Sequence, residues 1–259
     1  MHPNSNRLER ILSYGRSDSG KSSMWVSIAS WLADTETGNR VWLGDTDNAW
    51  DAMGYDEIES VVKPSRVTDY ISALRWAKSL RVDRNDWVCL DLADKAWPWA
   101  QEHYFSQYMP DDDLSLGDIY LRNQLAMERK EGGEGMAGAH GGNWGVIYKY
   151  YHGLVNILLN QPCHVLFIAA ARELRADTKA AIVAQYKNVG FYPAGPPNEN
   201  ELAHSFHTVL YCAETPINWL YTTIKERGPI NKPSRRMLKA EPVSDFVATY
   251  LFKVAEWQL

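Results

Sequence analysis

The chain lacks a basic excess, a long apolar run and any cysteine pattern, and each absence removes a class of function. Its 27 Lys and Arg are outnumbered by 32 Asp and Glu, giving a formal net charge of −5. That balance argues against a protein that coats duplex DNA through general positive charge, and leaves room for a local basic patch on an acidic body. No apolar run approaches the ~20 residues that span a bilayer. The start, Met-His-Pro-Asn-Ser-Asn, is polar and has no signal-peptide core. A soluble, cytoplasmic protein with no membrane partner is expected. The three cysteines, Cys89, Cys163 and Cys212, are far apart, form no C-x-x-C and sit in apolar runs. They read as buried free thiols of a reducing compartment. No internal repeat is evident.

What is present is a β/α alternation over 259 residues, enough for one large domain covering 1–259. Leu8 to Tyr14 reads as a first strand. It runs into Gly15-Arg16-Ser17-Asp18-Ser19-Gly20-Lys21-Ser22-Ser23, which holds the pattern G-x-x-x-x-G-K-S of a phosphate-cradling P-loop. The spacing has a chemical reason. Glycines let the backbone curl so that successive N–H groups point at a phosphate chain. Lys21 reaches the β- and γ-phosphates, and the Ser22 hydroxyl ligates Mg²⁺. The helix expected over Lys21 to Ala33 turns its positive end toward the anion. ATP and Mg²⁺ are therefore the expected ligands.

Further on, Arg40 to Gly44 reads as a second strand ending in Asp45-Thr-Asp47-Asn48. The plausible topologies set it beside the P-loop strand. Val61 and Val62 suggest a short third strand, and Val67 to Leu80 a helix with Tyr70, Ile71, Leu74, Trp76, Ala77 and Leu80 near one face. Asp86 to Asp91 has the pattern of a buried central strand ending in an acid. Residues 97–145 interrupt the alternation with aromatic helical stretches, a helix over Asp118 to Arg129 and a Gly-rich tract, 131–142, expected to be a mobile loop. Trp144 to Leu159 returns to helix and Cys163 to Ala171 to buried strand. Residues 172–202 read as a second long loop around a short helix. His207 to Ala213 and Trp219 to Lys225 read as strands, and Val243 to Trp257 as a closing amphipathic helix. The fold class expected is α/β with a mostly parallel sheet. The eleven tryptophans read as core or interface anchors.

Three groups complement the P-loop. Asp91 is the candidate carboxylate for Mg²⁺, acting with Ser22. Asp47 is the candidate for orienting or deprotonating the attacking water, with Asp45 and Asp47 as caps of the following turn the plainer alternative. Lys225 and Arg227, alternating at a strand end, point to one side of the sheet, where a cationic pair stabilises charge on a transferring phosphoryl group, in trans if the site lies between subunits. A solvated charged strand end is the plainer alternative there.

These pieces together resemble the RecA-like ATPases of the RecA/Rad51 and replicative-helicase type. The loop Gly15 to Ser22 is similar to the RecA loop. Gly44-Asp-Thr-Asp47-Asn-Ala-Trp-Asp51 looks like the segment carrying the catalytic glutamate, with Asp47 at that position and one methylene shorter. Leu90-Asp91-Leu-Ala-Asp-Lys-Ala-Trp97 resembles the Mg²⁺ strand and its exit. Lys225-x-Arg227 matches the K-x-R pair inserted into a neighbour's ATP site. The strand Cys163 to Ala171 resembles the sensor strand, with Ala169, Ala170 and Ala171 where a polar sensor is expected. The motif order looks like phage-encoded minimal RecA-core ATPases linked to single-strand annealing and recombination. The resemblance implies a Mg²⁺-dependent ATPase in a homo-oligomeric ring or filament on single-stranded DNA, encoded by a phage within a bacterial host. Two axial loops would contact DNA. The candidates are 131–142 and 172–200, with Arg129, Lys130, Arg172, Arg175, Lys179 and Lys187 as cations and Tyr186, Phe191 and Tyr192 for stacking. Rival readings are a DNA-translocating helicase or packaging motor, a nucleotide-gated scaffold with little turnover, and a small-molecule kinase.

Overall fold

The apolar runs become strands of one sheet, and the amphipathic stretches cover it on both faces. The computed structural model describes residues 7–53, 56–108, 137–196, 201–226 and 240–252. In chain order they form β1 (Arg10–Gly15), α1 (Ser23–Thr35), β2 (Val41–Asp45), α2 (Ala49–Met53), β3 (Val62–Arg66), α3 (Tyr70–Ser79), β4 (Trp87–Asp91), α4 (Ala96–Tyr108), α5 (Ala137–Leu159), β5 (His164–Glu173), α6 (Ala180–Tyr186), β6 (Phe191–Pro193), α7 (Glu201–Ser205), β7 (Thr208–Glu214), β8 (Trp219–Glu226) and β9 (Glu241–Pro242).

Among the described residues the sheet has nine strands, in the order β3-β2-β4-β5-β1-β7-β8-β9, with β6 paired to β5 off that path. The six strands from β3 to β7 along the path are parallel, and β8 turns back against β7. The expected mostly parallel α/β sheet is therefore present. Side chains alternate between faces along each strand. Leu12, Val88, Leu90, Val165 and Phe167 face α3, α4 and α5. Ile11, Leu43, Cys89, Leu166 and Ile168 face α1 and the segment Val243–Leu251. Strands so buried on both faces read as continuous apolar runs, which is why β1, β4 and β5 are visible in the sequence. The three cysteines are free and buried, as expected.

Several expectations change. β2 is not beside β1: β4 and β5 lie between them. β3 is longer than Val61 and Val62 suggest, because Pro64 is tolerated on an edge strand. Ile71 is exposed; Tyr70, Ala73, Trp76 and Ala77 form the buried face of α3. The interruption at 97–145 is partly core. α4 and α5 pack across the sheet through Trp97, Trp99, Ala100, Ile147 and Tyr151. Residues 137–142 of the Gly-rich tract begin α5. The expected helix over Asp118 to Arg129, with Lys130, lies outside the described residues. In the region 172–202 the expected short helix is α6, and the stretch around it is closed into a hairpin, with Arg172 paired to Tyr192 and Glu173 to Phe191; residues 197–200 lie outside the described residues. The described part of the closing helix expected over Val243 to Trp257 is a 3-10 turn, Val243–Asp245, followed by a π-helical turn, Val247–Phe252; residues 253–257 lie outside the described residues.

Candidate functional site

Because β1, β2, β4 and β5 are parallel, their C-terminal ends share one edge of the sheet. Gly15 aligns with Ala170 of β5, and Asp91 aligns with Ile168 of β5 and Asp45 of β2. The Gly15–Ser22 loop, the candidate P-loop, leaves β1 at that edge and enters α1 at Ser23. Gly15 admits no side chain, since a Cβ there would stand 2.6 Å from the Cys212 carbonyl oxygen and against Ser19 Oγ. Asp18 and Gly20 take positive φ, 60° and 73°. Arg16, Ser17 and Asp18 face solvent, while Ser19 is buried, with its hydroxyl unpartnered. Lys21 Nζ donates to the Arg16 carbonyl at 2.8 Å, folding the lysine back over its own loop. No side chain caps α1, and its first turn carries no acid. Its N-terminal backbone dipole is thus left without an anionic side chain of its own.

Asp91 is the focus of the acid side. It is 4% exposed. One oxygen, Oδ2, accepts from Trp25 Nε1 at 3.1 Å, and the other, Oδ1, is buried with no hydrogen-bond partner. Burial pushes the Asp91 carboxyl up to about 6, against the opposing pull of the Ser22 hydroxyl and the Trp25 indole N–H. The charge of Asp47 adds to the rise and that of Lys21 opposes it. Ser22, Lys21 and Asp47 therefore all act on Asp91, although β5 stands between its strand and β1.

The two acids of β2 divide their tasks. Asp45 is buried, and its carboxylate accepts the backbone N–H groups of Asp47, Ala49 and Trp50 at 3.4, 3.2 and 3.0 Å. It caps α2, as the plainer alternative foresees for it. Asp47 reaches solvent. Partial burial, then hydrogen bonding to the Asp45 carboxyl and that group's charge, hold Asp47 above the usual carboxylate range. A carboxylate of raised pKa is the better proton acceptor.

The cationic pair is not at this edge. β8 descends from the P-loop side, and Lys225 pairs with Val209 near the opposite edge of the sheet. Its ammonium donates to the Ala203 carbonyl at 2.6 Å. Arg227 lies outside the described residues. Within one chain, then, Lys225 does not join the P-loop.

Sequence reasoning missed Trp25, Thr46 and Asp94. Trp25 sits in the first turn of α1, and a buried indole N–H there needed an acceptor, which was the available signal. Thr46 Oγ1 accepts from the Leu92 N–H at 2.7 Å, and Asp94 accepts from the Ala170 N–H at 2.9 Å, tying the exit of β4 to β2 and β5. Of the proposed stacking residues, Tyr186 is fully buried and out of reach of a base. Phe191 is half-buried, stacked on Tyr211, and lies under the Arg16 guanidinium at 5.7 Å. Arg172, Arg175, Lys179 and Lys187 are exposed, and the first three line an open cleft of about 520 Å³ with Tyr192.

Among the described residues, no three His, Cys, Asp or Glu side chains gather to hold a metal, and no helix is long and apolar enough to cross a membrane. No protein family matches the chain, and no curated protein matches it significantly.

Proposed function

We propose that this chain is a RecA-like P-loop ATPase that binds ATP with Mg²⁺. The observation that carries the reading is the buried Oδ1 of Asp91, which has no partner at hydrogen-bond geometry, on a carboxyl that the Ser22 hydroxyl and the Lys21 charge both favour in its ionised form. A carboxylate oxygen kept dry and unsatisfied is costly unless a ligand completes it. Ser22 and Asp91 suit Mg²⁺, a hard cation that needs few protein oxygens when phosphates and water supply the rest. Bound there, the ion would neutralise charge on the terminal phosphates. Lys21, released from the Arg16 carbonyl, would turn to the phosphates, with backbone groups of Gly15 to Ser23 around them. Asp47 would orient the attacking water and accept its proton.

The wider reading is action on single-stranded DNA in phage-type recombination or replication, in a ring or filament where Lys225 and Arg227 complete the neighbour's site. It is supported by the remoteness of Lys225 from its own P-loop and by the exposed cations of the β5–β6 excursion. A second reading, a nucleotide-gated scaffold with little turnover, draws on β5. There Ala169 to Ala171 offer no polar side chain, and the Ala170 N–H is already taken by Asp94.

The test is ATP turnover with and without single-stranded DNA, for the wild type and Lys21→Ala, read with particle size. DNA-stimulated turnover in an oligomer, lost in Lys21→Ala, supports the ATPase. Nucleotide-dependent assembly with negligible turnover supports the scaffold. A monomer that neither binds ATP nor responds to DNA overturns both.

A further inference from the structure

The β7–β8 hairpin brings an indole onto the P-loop. Its turn is closed by Thr215 N–H to the Asn218 carbonyl at 2.8 Å and by Asn218 N–H to Thr215 Oγ1 at 3.0 Å. The Trp219 N–H then donates to Asn218 Oδ1 at 2.8 Å, so the backbone of the first β8 residue is fixed. Trp219 lies against Gly20, the residue before Lys21: a Cβ at Gly20 would stand 2.5 Å from the indole Cγ. Trp219 is nevertheless 44% exposed. The other large aromatics exposed to a similar degree have ring partners, Trp144 on Trp97 and Phe252 on Trp31. Trp219 stacks on no ring among the described residues. It is a rigidly mounted aromatic, backed by the P-loop and open outward.

Strand order supplies the direction. Asp91 on β4 and Asp47 after β2 lie on one flank of β1; β7 and β8 lie on the other. With neighbouring strands ~4.8 Å apart, β4 and β8 each stand ~10 Å from β1. A triphosphate whose terminal phosphates meet Lys21 and the acid flank must run across the start of α1 and leave its nucleoside on the β8 flank. Trp219 and Tyr221 point to the α1 face of the sheet, Tyr221 within that core and Trp219 above it. Resting on the nucleotide reading, we propose that Trp219 is the stacking platform for the base of the bound nucleoside triphosphate. Stacking uses the π-face that every base has, so this contact adds affinity without selecting the base.

The test separates base from phosphates. Mg·ATP and Mg·tripolyphosphate are titrated into wild type, Trp219→Ala and Trp219→Phe. Stacking of ~1–3 kcal/mol per base corresponds to roughly 5- to 150-fold in Kd. Trp219→Ala is expected to weaken ATP by that factor and leave tripolyphosphate unchanged, with Trp219→Phe between. Unchanged ATP binding in Trp219→Ala overturns the proposal. Equal loss of both ligands also overturns it, assigning Trp219 to support of the loop alone. Wild type that binds neither ligand removes the nucleotide reading itself, a different failure.

Discussion

Replacing Asp91 with asparagine should stabilise the unliganded protein while removing its response to Mg·ATP. Folding raises the Asp91 carboxyl from its ordinary 3.8 to about 6, chiefly by burial. The folded state therefore holds the proton more tightly than the unfolded state. The resulting stability is complete below pH ~4 and is lost as pH rises through about 6. Across that window the loss is about 3 kcal/mol, at ~1.4 kcal/mol per pH unit. In Asp91→Asn the side chain carries no charge, and its oxygen can still accept from Trp25. Its amide meets the place where Oδ1 has no partner, at a cost of ~1 kcal/mol. A net gain of about 2 kcal/mol at pH 8 remains, or ~4 °C in Tm for a chain this long. At pH 5 roughly half the charge penalty is already relieved, and the gain should shrink to about 1 °C. Thermal denaturation of both proteins at pH 5 and 8 measures this. Mg·ATP at 100 times Kd should then stabilise wild type by about 2.7 kcal/mol and leave the variant unmoved. A variant less stable than wild type at pH 8, or a gap equal at both pH values, refutes the buried-charge reasoning.

The division of labour on β2 predicts opposite phenotypes for its two acids. Asp45→Ala should cost about 1–2 kcal/mol by uncapping α2, measured by urea unfolding, whereas Asp47→Asn should leave stability and ATP affinity nearly unchanged and depress turnover. The proposal that the cationic pair acts in trans predicts complementation. Arg227→Ala and Lys21→Ala should each lack ATP turnover, Arg227→Ala while still binding nucleotide, and a 1:1 mixture should recover part of it. A mixture as inactive as its components would return Arg227 to a role within its own chain.

The elements legible in advance are those whose burial is total. β1, β4 and β5 carry apolar runs because both faces of a central parallel strand are covered, and no partner needs to be known to see that. β3 is harder, since its outer edge pairs with nothing among the described residues and Pro64 is allowed there. Strand order is illegible for a stronger reason: register and adjacency depend on which crossover helices cover which face, and no residue of β2 encodes that β4 and β5 separate it from β1. The same limit hides the structural status of α4 and α5. Their aromatic residues are visible, but not the sheet face they cover.

The site divides along the same line. The Gly15–Ser22 pattern is readable because it is local: spacing, glycines and the helix start lie within about ten residues. Asp91 is readable because strand and acid adjoin. What sequence could not weigh is competition for the same carboxylate. Asp45 and Asp47 are two residues apart and chemically identical, yet one is consumed by three backbone N–H groups and the other reaches solvent. Between Asp47 and the two N–H groups of Ala49 and Trp50 that reach back to Asp45, Asn48 takes a φ of 64°. A left-handed Asn costs little. One of the two carboxylates is thereby spent as a cap, and the other stays open to solvent beyond the end of β2.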